Sequence, residues 1–125
     1  MMGRKKKILV VDDSKTALFM VTMILKKEPY ELVTATDGQQ ALEVAVAEHP
    51  DLILMDVCMP RKTGFEACRE LKGRADTKAI PVILVTTRGE EENVEAGFES
   101  GCNDYVTKPI NAQELLAKVR DNIAG

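Results

Sequence analysis

The chain has 125 residues, 45% apolar and 30% charged, the balance of one ordinary globular domain, which excludes a disordered tail and a membrane protein. With 17 basic against 20 acidic side chains the net charge is -3, which speaks against a general affinity for nucleic acid. Its three cysteines, Cys58, Cys68 and Cys102, are odd in number and far apart, so free thiols are expected rather than a disulfide framework or a zinc site.

Residues 1–6 read as a basic lead-in, with the run Arg4 to Lys7 a solvated approach to the first strand. Only Ile8 to Val11 follow before Asp12 and Asp13 intervene, too short for the ~7 to 15 apolar residues of a signal peptide core. The longest apolar run, Ala17 to Val21, falls far short of the ~18 residues that suggest a membrane span, so a cytoplasmic chain is expected, with no membrane insertion. Beyond the lead-in, short β-branched runs alternate with longer segments of helical period, as in βα units on a parallel sheet. The predicted strands are Lys7 to Val11, Leu32 to Thr36, Leu52 to Met55, Val82 to Val85 and Tyr105 to Thr107, the third and fourth fully buried. The predicted helices are Ser14 to Lys27, Gly38 to Glu48, Gly64 to Lys72, Glu90 to Ser100 and Asn111 to Asn122, with Ser14 and Asn111 as N-caps. No linker or fixed-period repeat interrupts the order, and the expected fold is an α/β one: a five-stranded parallel, doubly wound, flavodoxin-like sheet with five helices and strand order 2-1-3-4-5.

In such a sheet a ligand site forms beyond the carboxyl ends of the strands. The first strand ends in Asp12 and Asp13, the third in Asp56, the fourth in Thr86 and Thr87, and the fifth runs into Lys108. Each acid alone reads as a helix cap, but three sharing one crevice repel unless a cation sits among them, and a hard oxygen-lined site suits Mg²⁺. Acids, a hydroxyl and an ammonium are what phosphoryl transfer requires, with Asp56 as the expected nucleophile at the mouth of a buried strand.

These residues stand in VVDD at Val10 to Asp13, LMDVCMP at Leu54 to Pro60, Gly64, LVT at Leu84 to Thr86 and YVTKP at Tyr105 to Pro109. With them, the chain from Lys6 to Ile123 resembles the response-regulator receiver domain of two-component signalling, especially the single-domain chemotaxis type. The resemblance implies a phosphorylation-activated switch, not an enzyme in the ordinary sense, that assists its own phosphorylation and dephosphorylation. A histidine kinase or histidine phosphotransfer protein would phosphorylate Asp56, with Mg²⁺ held by Asp13, Asp56 and the backbone carbonyl of Cys58, and with Asp12 acting through a water. Lys108 and Thr86 would bind the phosphoryl oxygens, and Tyr105 would follow Thr86 so that the helix 4/strand 5/helix 5 face signals to a downstream protein. Pro109 permits a cis bond that would aim Lys108 into the crevice.

Thr87 is bulkier than the small residue usual at its place, which implies narrower access, and Cys58 and Arg88 flank the entrance where relatives differ in the lifetime of the acyl phosphate. Neighbouring carboxylates disfavour a Cys58 thiolate, so an inert thiol is expected there. A haloacid-dehalogenase-type phosphatase would need a second acid where Cys58 stands, and Asp12 and Asp13 would repel the phosphate of a flavodoxin's FMN. No phosphate-binding glycine motif occurs, and His49, the lone histidine, sits before Pro50 at a helix end. The rival class is a receiver-like interaction domain independent of phosphorylation. Ending at Gly125, the chain fits either a stand-alone regulator acting by docking or the receiver part of a longer one.

In the first helix, Ala17 to Val21 cannot all face the sheet. Placing the core stripe on Ala17, Met20, Val21 and Ile24 leaves Phe19 and Met23 outside as an apolar pair. Lysine stems or the fifth helix could cover that pair. Alternatively it is a partner patch for the phosphodonor or for a homodimer, including a phosphorylation-dependent one.

Overall fold

The computed structural model describes residues 5–87 and 91–123. The elements alternate as β1 (Lys7–Val11), α1 (Lys15–Leu25), β2 (Glu31–Ala35), α2 (Gly38–Glu48), β3 (Leu52–Asp56), α3 (Gly64–Lys72), β4 (Val82–Thr87), α4 (Glu91–Glu99), β5 (Asp104–Lys108) and α5 (Ala112–Asn122). All four strand pairings are parallel, and the sheet order is β2-β1-β3-β4-β5, as expected.

Alternation along each strand divides the core in two. Leu9, Val11, Ile53, Met55 and Leu84 meet Ala41 and Ala45 of α2 and Ala67, Cys68 and Leu71 of α3. The intervening residues, Ile8, Val10, Leu54, Ile83 and Val85, meet Val21 and Leu25 of α1 and Leu115 and Val119 of α5. Both faces are therefore covered, which is why the central strands read as continuous apolar runs rather than alternating ones.

Polar side chains set the helix starts. Ser14, Asp37 and Asn111 accept the backbone N–H of Ala17, Gln40 and Glu114, respectively, and Thr63 and Glu66 form a reciprocal capping box at α3. His49 ends α2 as an exposed residue in the left-handed region, at φ 47°. β2 begins and ends one residue earlier than expected. Glu31 pairs with Lys7, and the N–H of Thr36 leaves the ladder to donate to Gln40 Oε1 at 2.6 Å.

The stripe expected on α1 needs correction. Its inner face is Val21 and Leu25 with Leu18 and Ile24 beside them, whereas Met20 is 60% exposed and joins Phe19 at 65% and Met23 at 51%. The helix is rotated toward Leu18, which packs with Val21 and Leu25 against the Val10, Leu54 and Val85 face and so turns Met20 outward. No helix among the described residues is long and apolar enough to cross a membrane.

Candidate functional site

Five parallel strands bring their carboxyl ends to one edge, and β1, β3, β4 and β5 each deliver part of one small cavity there. Asp12 and Asp13 lie just past β1, Asp56 is the last residue of β3, Thr86 lies near the end of β4 and Lys108 closes β5. Together with Cys58 they line a cavity of about 190 Å³.

Local backbone contacts fix the acids. The N–H of Asp12 still donates to Ala35 O at 3.2 Å, and the N–H of Ser14 turns back onto Asp12 Oδ1 at 2.9 Å. Past Asp56, Val57 N donates to Val85 O at 3.0 Å, which keeps the chain on the sheet one residue further. Gly64 then folds over this segment so closely that a Cβ would lie 2.4 Å from Asp56 O, so only glycine fits.

Carboxylate oxygens of Asp12, Asp13 and Asp56 come within 4.8 Å of one another. Asp12 and Asp56 are buried while Asp13 stands exposed at the mouth. Lys108 Nζ lies 2.9 Å from Asp56 Oδ1 and 3.6 Å from Asp12 Oδ2. Burial raises the Asp56 carboxyl above the usual carboxylate range; the Lys108 hydrogen bond draws it back, and the Asp12 charge pushes it up again. Burial works against the Lys108 ammonium, yet its bonds to Asp56 and Asp12 prevail and raise its pKa. One ammonium therefore faces an excess of negative charge, and the hard oxygen donor set fits a divalent cation such as Mg²⁺.

Thr86 Oγ1 is buried without a hydrogen-bond partner, the one such side-chain atom among the described residues. A buried hydroxyl left unpaired is costly and needs a reason, and here it lines the same cavity as the acids. Tyr105 does not line that cavity. It is half-buried, with the Phe98 ring edge-on at 5.8 Å and Lys118 Nζ 4.8 Å from the ring centroid. The Lys108–Pro109 peptide is cis. Thr87 pairs through its backbone with Lys108, while Arg88 and Glu90, the expected start of the fourth helix, lie outside the described residues.

The family model for the response regulator receiver domain matches residues 8–120. The chain belongs to that family. Protein PilH of Pseudomonas aeruginosa is 40% identical over 119 residues, covering 95% of this chain and 98% of that one. Among solved structures, the chemotaxis response regulator CheY4 of Vibrio cholerae superposes with a TM-score of 0.88 at 34% identity, over 95% of this chain and 99% of that one. The receiver domain of a sensor histidine kinase from Pseudomonas aeruginosa, solved with a magnesium ion coordinated in its active-site cleft, gives 0.89 at 28% identity, covering 97% and 99%. Receiver domains are the phosphoacceptor switches of two-component signalling, and the cavity lies where this receiver's strand-end acids meet.

Two features of this receiver escaped the sequence reading. An apolar cavity of about 260 Å³ opens between α1 and the β5–α5 connection, sharing Asp12 and Lys108 with the acidic one. Arg61 of the β3–α3 connection also reaches back to Asp37 at the start of α2, a pairing that no periodicity or short motif announces.

Proposed function

We propose that this receiver accepts a phosphoryl group on Asp56 from the phosphohistidine of a histidine kinase or histidine phosphotransfer protein, and passes the change to the face formed by α4, β5 and α5. The observation that carries the proposal is the place of Asp56, buried between an acidic pair and Lys108 and lining a cavity that also holds the orphaned Thr86 hydroxyl.

In the transfer, a carboxylate oxygen of Asp56 forms the new O–P bond as the P–N bond to the donor imidazole breaks. Asp13, Asp56 and the Cys58 carbonyl would hold Mg²⁺, with Asp12 supporting it through water, and the ion would supply positive charge to offset the phosphoryl oxygens. Lys108, already between Asp56 and Asp12, turns its ammonium to the incoming phosphoryl group. Thr86 gains the acceptor that its hydroxyl lacks. A covalent phosphate adds about -1.5 to -2 charges and three strong acceptors, enough to bias a two-state element coupled to Thr86 and Tyr105. The exposed pair Phe19 and Met23 on α1, with Met20 beside it, offers the donor an apolar landing surface.

Mass spectrometry after incubation with a small-molecule phosphodonor and Mg²⁺ tests the reading. The protein should take up one phosphoryl group and Asp56→Asn none; stoichiometric labelling of the variant would overturn it.

A further inference from the structure

The connection that leaves Asp56 and carries Cys58 is held from outside the cavity. Arg61 sits at φ 67°, and Lys62 N donates to Pro60 O across it at 2.7 Å. A hydrogen bond spanning one residue of positive φ is a tight γ-turn, which is rare and strained, more so for a residue with a long side chain. Its guanidinium donates to Asp37 Oδ2, and Asp37 is only 4% exposed. The other oxygen, Asp37 Oδ1, accepts Gln40 N–H at 2.8 Å, so one buried side chain both caps α2 and grips the turn.

Backbone contact tightens the same junction. A Cβ on Gly38 would lie 2.6 Å from Lys62 O, so the start of α2 packs directly against the connection. At its other end, Gly64 N donates to Val57 O at 2.9 Å. The span from Val57 to Gly64 is pinned at its base by that bond and near its tip by Arg61, and Cys58 lies between the two. Strained turns persist only where surrounding contacts over-determine them, and here the buried carboxylate is the side-chain contact among those that hold the turn.

We propose that Asp37 and Arg61 are positioning residues for the metal site: their ion pair holds the strained turn and so keeps the Cys58 backbone in the conformation from which its carbonyl serves Mg²⁺. The inference rests on the reading of the acidic cavity as a Mg²⁺ site. Neither residue lines the cavity, so their influence on it runs through the backbone they hold.

The test is an NMR titration with Mg²⁺ of the protein, Arg61→Ala, Asp37→Asn and the double variant, alongside thermal melting in a chelator. Asn retains the helix cap, so Asp37→Asn stays folded and decides the matter if Arg61→Ala does not. Each single variant should bind Mg²⁺ about tenfold more weakly, as when a supporting partner of a metal ligand is lost, and the double variant no more weakly than either. Phosphoryl uptake from a small-molecule donor should slow at limiting Mg²⁺ and return at saturating Mg²⁺. Equal Mg²⁺ affinity in all four proteins overturns the proposal, and so does a loss of affinity that merely follows a loss of thermal stability. A protein that binds no Mg²⁺ before any substitution overturns the metal reading instead.

Discussion

Lys108 Nζ approaches Asp56 Oδ1 to 2.9 Å while remaining 3.6 Å from Asp12 Oδ2, so a single ammonium is shared unequally between two buried carboxylates. Its side chain is 37% exposed, which leaves the ammonium able to turn toward a group arriving from solvent. In that arrangement Lys108 relieves crowding among the acids and already stands beside the Asp56 oxygen to which phosphoryl transfer is proposed.

Lys108→Ala should therefore leave Asp56 in place but slow its phosphorylation from a small-molecule donor by about 10²-fold, the usual loss when one electrostatic donor to a transition state is removed. Single-turnover rates at saturating Mg²⁺ measure this. An unchanged rate would mean that Lys108 serves only the resting state.

Asp13 is the exposed member of the acidic cluster, the one a cation reaches first. Three carboxylates with oxygens within 4.8 Å of one another cannot receive a phosphoryl dianion without added positive charge. Asp13→Ala should take up no phosphoryl group at Mg²⁺ concentrations that saturate the unaltered protein, and a chelator should block the latter too. Full labelling in the presence of the chelator would contradict the metal requirement.

Thr86 offers two readouts from one substitution. Val has nearly the same shape and no hydroxyl to leave unpaired, so Thr86→Val should raise the stability of the unphosphorylated protein by about 1 kcal/mol in denaturant unfolding. The same variant should still label on Asp56 but no longer shift the NMR signals of Tyr105 and its neighbours on phosphorylation. A normal shift would separate Thr86 from the switch.

The acidic cavity was legible because a doubly wound parallel sheet sends every strand's carboxyl end to one edge; once five strands are recognised, Asp12, Asp13, Asp56, Thr86 and Lys108 must gather. Met20 was misplaced because five consecutive apolar residues leave the rotation of a helix undetermined, and only the shape of the sheet face opposite chooses Leu18 over Met20. The Asp37–Arg61 pair spans two connections and 24 positions, with no pattern linking them. Its one local sign was Asp37 before Gly38, which marks a helix start and nothing more.

Asp37 also makes a prediction about acid stability. The Gln40 N–H holds its carboxyl below the ordinary carboxylate range; burial opposes this, and Arg61 adds to the lowering. A group whose folded pKa is depressed contributes stability that is present above its unfolded value and lost as pH falls through the folded one. Asp37→Ala should thus melt several degrees lower near neutral pH, with the gap closing as pH drops below the ordinary carboxylate value. A gap that stays constant into acid would assign the loss to packing rather than to charge.

Phe19 and Met23 stand one turn apart on α1 at 65% and 51% exposed, and Met20, at 60%, widens the pair into a three-residue apolar patch. Single exposed apolar side chains are ordinary, but three on one helix of a small domain are a candidate contact surface. The patch adjoins the apolar cavity that Met20 and Ile110 line, and that cavity shares Asp12 and Lys108 with the acidic one. A protein bringing a phosphohistidine to Asp56 would pass over this side of the molecule, and a small-molecule donor would not need it. Phe19→Ala should therefore slow phosphotransfer from the cognate histidine protein by about tenfold, the loss of roughly 1.4 kcal/mol that a modest interface anchor supplies, while uptake from a small-molecule donor stays unchanged. Rates with the two donors, measured side by side on the same preparation, decide it. If both fall together the substitution has disturbed the site through α1, and if neither falls the patch plays no part in meeting the donor.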